Sequence, residues 1–387
     1  KSSPDASRRG FFHDPSSAGV GLKRDAHRLT VVTVSSPALR RLLRTAALGS
    51  ALSVGLAGLA GCSGQKNTAE VGNSAQGSQQ LLLVSYAVTK AAYDRILPAF
   101  EADWKAKTGQ SVKVKTSFGA SGSQTRAVID GLEADVVGLA LGGDVLKIQQ
   151  AGLIEAGWEK ELPNDSTITH SVVALIPREG NPKGIKTWQD LGKDGITVVT
   201  ANPKTSGGAR WNFLALWGSV TRNGGTDAQA RSFVTKVYGN VESLPRDARE
   251  ASDVFLKRGQ GDVMLNYENE AIAARKKGEL KQAFVVPDQN ISIDGPVAVV
   301  DKNADKHGTR KAAEGLATFL QSEKAQEIFA EEGFRPVNES VWAKVKGRFA
   351  PVSRLFTVAD FGGWKSVNTT FFGDGGLWDQ IFRKRQG

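Results

Sequence analysis

Four stretches of the chain place small residues where a predicted strand runs into the helix that follows it. They are residues 85–89 (SYAVT), 119–123 (GASGS), 205–211 (TSGGARW) and 246–249 (RDAR). A helix N-terminus presents unpaired backbone N–H groups and the positive end of the helix dipole. Glycine and serine at such a position let an anion reach the backbone. Several of these helix ends, brought together, would bind a small oxyanion without a metal.

Predicted strands and helices alternate along the chain and would position the four junctions. The predicted strands are residues 81–85, 111–115, 134–140, 172–176, 196–200, 241–244, 261–267, 284–287 and 296–300. The predicted helices are residues 90–108, 123–132, 207–216, 233–237, 248–257, 268–277, 311–319 and 325–331. Such alternation is typical of parallel βαβ units. In these sheets ligands bind beyond the carboxyl ends of the strands, which is where all four junctions lie.

The order of these elements predicts an α/β protein of two lobes, the second inserted into the first. A length of 387 residues also suits two lobes. Lobe 1 is expected to comprise residues 80–175 and 285–387, with its C-terminal segment able to reach lobe 2. Lobe 2 is expected to comprise residues 176–284. We expect the binding site in the cleft between the lobes.

The N-terminal part of the chain differs from the rest. A basic stretch, residues 40–44, precedes an apolar and uncharged one, residues 45–59, and the letters LAGCS occupy residues 59–63. This pattern is typical of an export signal, and its last letters are typical of lipoprotein cleavage before Cys62 with a lipid on the sulfur. We therefore predict a leader over residues 1–61 and a flexible tether over residues 62–79. A short membrane anchor with an incidental cysteine is the alternative.

Composition excludes several classes of site. Cys62 is the only cysteine, so an intrachain disulfide and a cysteine-based metal site are excluded. The formal net charge is +10, but residues 1–61 hold nine of the basic residues and only three acidic ones, which leaves a mild excess that does not indicate nucleic acid binding. No phosphate-binding GxxxxGK[ST] loop is present, so no ATPase is expected. Residues 119–123 lack the last glycine of a hydrolase nucleophile elbow, and we expect His170 and His307 to be structural.

Residues 80–387 resemble the extracytoplasmic sulfate-binding proteins of ABC importers. The most specific segment is residues 202–212 (NPKTSGGARWN). Shorter segments that contribute are residues 84–86, 121–124, 258–263, 268–271, 300–302 and 361–364. The resemblance implies the type II periplasmic-binding-protein-like fold, with parallel or mixed sheets and a ligand cleft between two lobes. It also implies a periplasmic or extracytoplasmic receptor, not an enzyme, that acts as a monomer with an ABC permease and ATPase and needs neither cofactor nor metal.

The resemblance further implies which groups hold a dehydrated sulfate. The expected backbone N–H donors belong to Ala87, Ser121, Gly207, Gly208 and Ala248. The expected side-chain donors are the hydroxyls of Ser206 and Tyr267, with the Ser121 hydroxyl as a further candidate.

Two of these positions depart from the family pattern. Ala87 stands where aspartate is usual, and Tyr267 stands where an indole N–H of tryptophan is usual. A phenol also donates a hydrogen bond, but with a different reach and direction. Sulfate is fully deprotonated at neutral pH and suits a site built of donors, whereas phosphate retains a proton that needs an acceptor. Thiosulfate stays open as the alternative ligand.

The sequence also predicts the orientation of four further residues near the junctions. Arg210 and Arg249 are expected to point outward or pair with acids instead of contacting the anion. Asp247 is expected to cap the helix that starts at Ala248. Asn266 is expected to point away from the face that Tyr267 occupies, because side chains alternate along a strand.

Overall fold

The computed structural model describes residues 78–386, with side chains through Arg383. The predicted leader, Cys62 and the tether up to residue 77 lie outside this range. The strands are β1 (Gln79–Tyr86), β2 (Val112–Gly119), β3 (Val136–Gly138), β4 (Thr167–Ser171), β5 (Val173–Pro177), β6 (Val198–Val199), β7 (Val241–Ser243), β8 (Val263–Tyr267), β9 (Gln289–Ile291), β10 (Ile293–Val299) and β11 (Arg354–Phe356). The α-helices are α1 (Lys90–Thr108), α2 (Ser121–Ile129), α3 (Gly142–Gln150), α4 (Gly207–Thr221), α5 (Asp227–Gly239), α6 (Ala248–Leu256), α7 (Glu268–Lys276), α8 (Asp301–His307), α9 (Arg310–Phe319), α10 (Glu323–Glu331), α11 (Glu339–Val345), α12 (Gly363–Val367) and α13 (Leu377–Gln386).

Two sheets organise the described residues, as the sequence predicts. The first has the strand order β2-β1-β3-β10-β4 and the second has the order β5-β8-β6-β7, while β9 and β11 form a separate pair. The βαβ units are parallel, but β10 runs antiparallel to β3 and β4, and β5 runs antiparallel to β8. Both sheets are therefore mixed. We call the first sheet with its packed helices lobe 1 and the second with its helices lobe 2.

Strand pairing locates where the chain passes between the lobes. The first passage is at Val172, between β4 and β5, and the return is at Ser292, between β9 and β10. The expected boundary at 175/176 falls inside β5, which pairs with β8 from Val173 onward, so the boundary belongs before that strand. The strand predicted over residues 284–287 is reduced to one bridge between Val285 and Leu175, which keeps this segment with lobe 2.

Helix α4 is buried along nearly its whole length and fixes one wall of the cleft. All of residues 207–219 are buried, as expected for a helix in which most residues are apolar. The Phe213 ring lies against Phe371, Phe372 and Trp378 of the C-terminal segment, at centroid distances of 5.5–6.2 Å. The C-terminal segment therefore packs on lobe 2, and it holds α4 with its first residue toward lobe 1.

Candidate anion site between the lobes

All seven residues predicted to contact the anion line one small cavity between the two sheets. Its lining consists of Tyr86, Ala87, Val88, Gly119, Ala120, Ser121, Ala140, Ser206, Gly207, Gly208, Asp247, Ala248 and Tyr267. The cavity volume is about 10 Å³, which is close to the roughly 10–15 Å³ needed to hold a single water-sized group. The cavity therefore suits a ligand of a few atoms at most.

Four helix starts surround this cavity, two from each lobe. Ala87 begins a short 3-10 turn that leads into α1, and Ser121 begins α2, each directly after a strand of lobe 1. Gly207 begins α4 and Ala248 begins α6 in lobe 2. The first N–H groups of a helix have no partner within the helix. The arrangement therefore brings backbone donors and the positive ends of helix dipoles to one point.

The residues that precede α4 and α6 cap them, and neither cap engages the first N–H group of its helix. Ser206 Oγ accepts a hydrogen bond from the Ala209 N–H at 3.3 Å. Because the oxygen acts as the acceptor in this bond, the hydroxyl proton can still be donated to a ligand. The Asp247 carboxylate accepts from the Glu250 N–H at 2.9 Å, which confirms its predicted role as a cap. Asp247 also lines the cavity, but this hydrogen bond directs one of its oxygens to the helix.

The Ser121 hydroxyl is occupied within the protein. It donates to Asp144 Oδ2 at 2.8 Å and accepts from the Ala140 N–H at 3.1 Å. The Ser121 hydroxyl, which the sequence suggests as a further donor to the anion, is thus directed elsewhere. The backbone N–H of Ser121 is the group that can still donate to a ligand in the cavity. Asp144 is fully buried at the start of α3, and nothing in its local sequence marks it, because it meets Ser121 only through the fold.

Tyr267 ends β8 and carries an unpartnered hydroxyl at the cavity. Its side chain is 3% exposed, and its Oη has no hydrogen-bond partner among the described residues. A buried hydroxyl without a partner is costly, and a ligand group that accepts from it would remove that cost. Burial raises the pKa of the Tyr267 phenol well above its usual value, which keeps the group protonated and able to donate.

The charged residues beside the cavity are paired with one another. Arg210 Nη1 lies 2.9 Å from Asp144 Oδ1, and Arg249 Nη2 lies 2.7 Å from Glu270 Oε1. The expected pairing of both arginines with acids is confirmed, although Arg210 is buried and does not point to solvent. The Asn266 amide donates to the Ala248 carbonyl on the side away from the cavity, as strand alternation predicts.

Direct contacts between the lobes close the cavity. The Gly122 N–H of lobe 1 donates to the Thr205 carbonyl of lobe 2 at 2.9 Å. Trp211 Nε1 of lobe 2 donates to the Ala140 carbonyl of lobe 1 at 2.8 Å. The structure therefore represents a closed form in which a ligand at the site is shielded from solvent.

Residues 78–386 contain neither a metal-binding cluster nor a helix that could span a membrane. No group of three or more His, Cys, Asp or Glu side chains there could hold a metal ion. None of the helices in this range combines the length and apolar character needed to cross a membrane.

Sequence comparison relates the chain to proteins that bind sulfur oxyanions. A family model described as bacterial extracellular solute-binding protein matches residues 81–335. The chain is 55% identical over 343 residues to a sulfate-binding protein of Synechococcus elongatus, covering 88% of this chain and 96% of that protein. It is 44% identical over 308 residues to a sulfate-binding protein of Escherichia coli, covering 79% and 93%. A thiosulfate-binding protein of Escherichia coli is 38% identical over 308 residues, covering 78% and 90%.

Solved structures give the same result for the fold. The sulfate-binding protein SubI from Mycobacterium tuberculosis superposes with a TM-score of 0.70 at 36% identity, covering 76% of this chain and all of that one. A periplasmic thiamin-binding protein superposes with a TM-score of 0.57 at 16% identity, covering 73% of this chain and 92% of that one. At this identity the similarity indicates the fold alone. The predicted two-lobe, type II binding-protein fold is thus confirmed.

Proposed function

Because the chain belongs to the bacterial extracellular solute-binding proteins, we propose that it is the receptor that binds sulfate outside the cytoplasm and delivers it to an ABC importer. In this role it is a binding protein and not an enzyme. The observation that supports a small oxyanion most directly is the buried, unpartnered hydroxyl of Tyr267 in a cavity ringed by helix starts.

The donors at this cavity match a fully deprotonated tetrahedral anion. We assign them as the backbone N–H groups of Ala87, Ser121, Gly207, Gly208 and Ala248, together with the hydroxyls of Ser206 and Tyr267. A contribution of roughly 1.5–3 kcal/mol for each hydrogen bond to a charged group gives about 9–18 kcal/mol for some six of them. Closure and desolvation subtract from that sum. A micromolar dissociation constant requires only about 8 kcal/mol.

Isothermal titration of the purified chain with sulfate tests this proposal. The protein is first partly unfolded and refolded, so that any copurified anion is removed. Micromolar or tighter binding of sulfate is the expected result. Absence of binding to any sulfur oxyanion would contradict the proposal, and hydrolysis of a chromogenic sulfate ester would contradict the assignment as a binding protein.

Thiosulfate is the second candidate ligand, and Tyr267 is the reason. A phenol aims its single proton differently from the indole N–H that is usual at this position in the family that the sequence resembles. Titration with thiosulfate on the same preparation decides between the two, because tighter binding of thiosulfate would reassign the ligand.

The partners follow from the same role. We propose that the lipid on Cys62 anchors the protein to the membrane, that residues 62–79 tether the folded part, and that a monomer docks on the permease, which works with its ATPase. Mass spectrometry of the N-terminal peptide tests the lipid, and Cys62→Ser should release the protein from the membrane fraction. Elution as a dimer in size-exclusion chromatography would contradict the monomer.

A further inference from the structure

A buried ion pair joins the two lobes beside the point where the chain passes between them. Arg335, which follows α10 in lobe 1, donates from Nε to Glu268 Oε2 at 2.7 Å and from Nη2 to Oε1 at 3.0 Å. Glu268 is the first residue of α7 in lobe 2 and directly follows Tyr267. The two side chains are 14% and 1% exposed. Parallel contacts of this kind fix the angle between a guanidinium and a carboxylate as well as their distance.

Both residues of this pair are also bonded to the segments that connect the lobes. The backbone N–H and carbonyl of Arg335 exchange hydrogen bonds with His170, two residues before the first passage. The Glu268 N–H donates at 2.8 Å to the carbonyl of Val172, the residue at which the chain first passes between the lobes. Arg335 Nη2 additionally donates to the Ala350 carbonyl at 2.7 Å, in the segment that leads to β11. The ion pair therefore lies where lobe rotation must be accommodated.

Aromatic rings hold the arginine in place. The Arg335 guanidinium lies 5.9 Å from the Trp342 ring centroid and 5.4 Å from that of Phe349. A lysine could preserve the charge at this position, but it could not preserve the parallel hydrogen bonds or the stacking. The geometry of the guanidinium, and not only its charge, is thus fixed by its surroundings.

We propose that Glu268 and Arg335 are positioning residues of the anion site. The pair fixes the position of the end of β8 relative to the donors that lobe 1 supplies. It thereby also fixes the position of the Tyr267 hydroxyl. Neither residue lines the cavity, so both act through the position of Tyr267. This inference rests on the proposed function, because the quantity it concerns is the affinity for sulfate.

The test is a double-mutant cycle on the full chain, with sulfate affinity measured by titration. E268Q retains the shape of the side chain and removes its charge, while R335K retains the charge and removes the parallel hydrogen bonds. We expect each to weaken sulfate binding by about tenfold, in keeping with the loss of one charge-assisted hydrogen bond. In the Y267F background, the same substitutions should cost much less, because the group that they position is already absent.

The matched control is R310Q, which breaks an ion pair with Asp301 that lies within lobe 1. It should leave the affinity for sulfate unchanged. Wild-type affinity for sulfate in folded E268Q and R335K would overturn the inference. Full additivity of their effects with that of Y267F would overturn it too. Either result would mean that the pair stabilises the fold without positioning Tyr267. If E268Q does not fold, R335K carries the same cycle. Failure of the wild-type chain to bind sulfate would instead overturn the proposed function.

Discussion

The hydroxyl of Tyr267 lies directly against the backbone of Gly208. A Cβ added at Gly208 would come within 2.9 Å of Oη and 2.8 Å of the ring carbon Cε2. The glycine thus allows the phenol to approach the first turn of α4, where Gly207 and Gly208 also line the cavity. An anion at this point would accept from the hydroxyl and from both N–H groups at once.

Removal of the Tyr267 hydroxyl should separate binding from stability. We expect Tyr267→Phe to weaken sulfate binding by roughly tenfold to 100-fold, which corresponds to one hydrogen bond to a charged acceptor of about 1.5–3 kcal/mol. The free energy of unfolding of the sulfate-free protein should be unchanged or slightly higher, because Oη has no partner among the described residues. Titration calorimetry and urea denaturation of the same preparation measure the two quantities. An unaltered affinity would remove Tyr267 from the site.

Gly207 should be intolerant of any side chain once the lobes close. A Cβ there would lie 2.6 Å from the Cβ of Ala140 and 3.1 Å from Leu141 Cδ2, both on lobe 1. We expect Gly207→Ala to weaken sulfate binding by at least about tenfold, since contacts under 3 Å must be relieved by holding the lobes apart. Gly207→Asp should abolish binding, because it also places a negative charge beside the anion. Neither substitution should unfold the sulfate-free protein.

Gly239→Ala provides the control for this comparison. Gly239 also lies in a helix of lobe 2, at the end of α5, but a Cβ there meets nothing within 4 Å. Sulfate affinity should therefore match that of the wild type. Equal affinities of Gly207→Ala and Gly239→Ala would show that closure does not bring Gly207 against lobe 1.

The helix starts could be predicted from the sequence because their signals are local. Asp247 caps α6 as expected, and Ser206, which is followed by two glycines, caps α4. Helix α1 has the predicted bounds, since its apolar face is regular and Gly109, at φ 73°, ends it. Pro98 lies inside α1 without dividing it. The sequence therefore places the junctions correctly before any contact between them is known.

The parts that could not be predicted depend on contacts between distant segments. Helix α3 begins with Gly142 and Gly143, which read locally as a turn, yet a Cβ on Gly143 would lie 2.7 Å from the Trp364 ring. These glycines allow close packing against Trp364 and do not interrupt the helix. The pairing of Asp144 with both Ser121 and Arg210 joins three separate elements, and no local pattern encodes it. The antiparallel direction of β10 likewise follows from the return of the chain to lobe 1.

His307 should make stability dependent on pH. Its Nδ1 lies 2.8 Å from Asp135 Oδ1 and its Nε2 lies 3.0 Å from Glu133 Oε2. These hydrogen bonds to two carboxylates raise the pKa of the imidazole above its usual value. A raised folded-state pKa adds stability that is complete below the unfolded pKa of about 6.5 and is lost as pH rises through the folded value. The site is partly exposed, so the effect should be about 1 kcal/mol or less.

Urea denaturation between pH 5.5 and 8.5 measures this effect. The wild type should lose stability relative to His307→Gln as the pH rises, because glutamine has no charge to lose. Parallel curves for the two proteins would show that the imidazole is not stabilised in its charged form. The affinity for sulfate should not differ between them, since His307 lies at the end of α8 and does not line the cavity.

Tryptophan fluorescence should report closure of the lobes. The Trp364 ring packs edge-on against Trp211 at a centroid distance of 4.8 Å, and the same ring lies against Gly142 and Gly143 of lobe 1. Opening of the cleft would separate Trp364 from one of these neighbours and change its surroundings. We expect sulfate to alter the emission of the wild type and Trp364→Phe to reduce that change, while sulfate still binds by calorimetry. Trp104→Phe is the control, because Trp104 packs against Gly315 within lobe 1. A full sulfate response in Trp364→Phe would show that the Trp364 contact is the same with and without the anion.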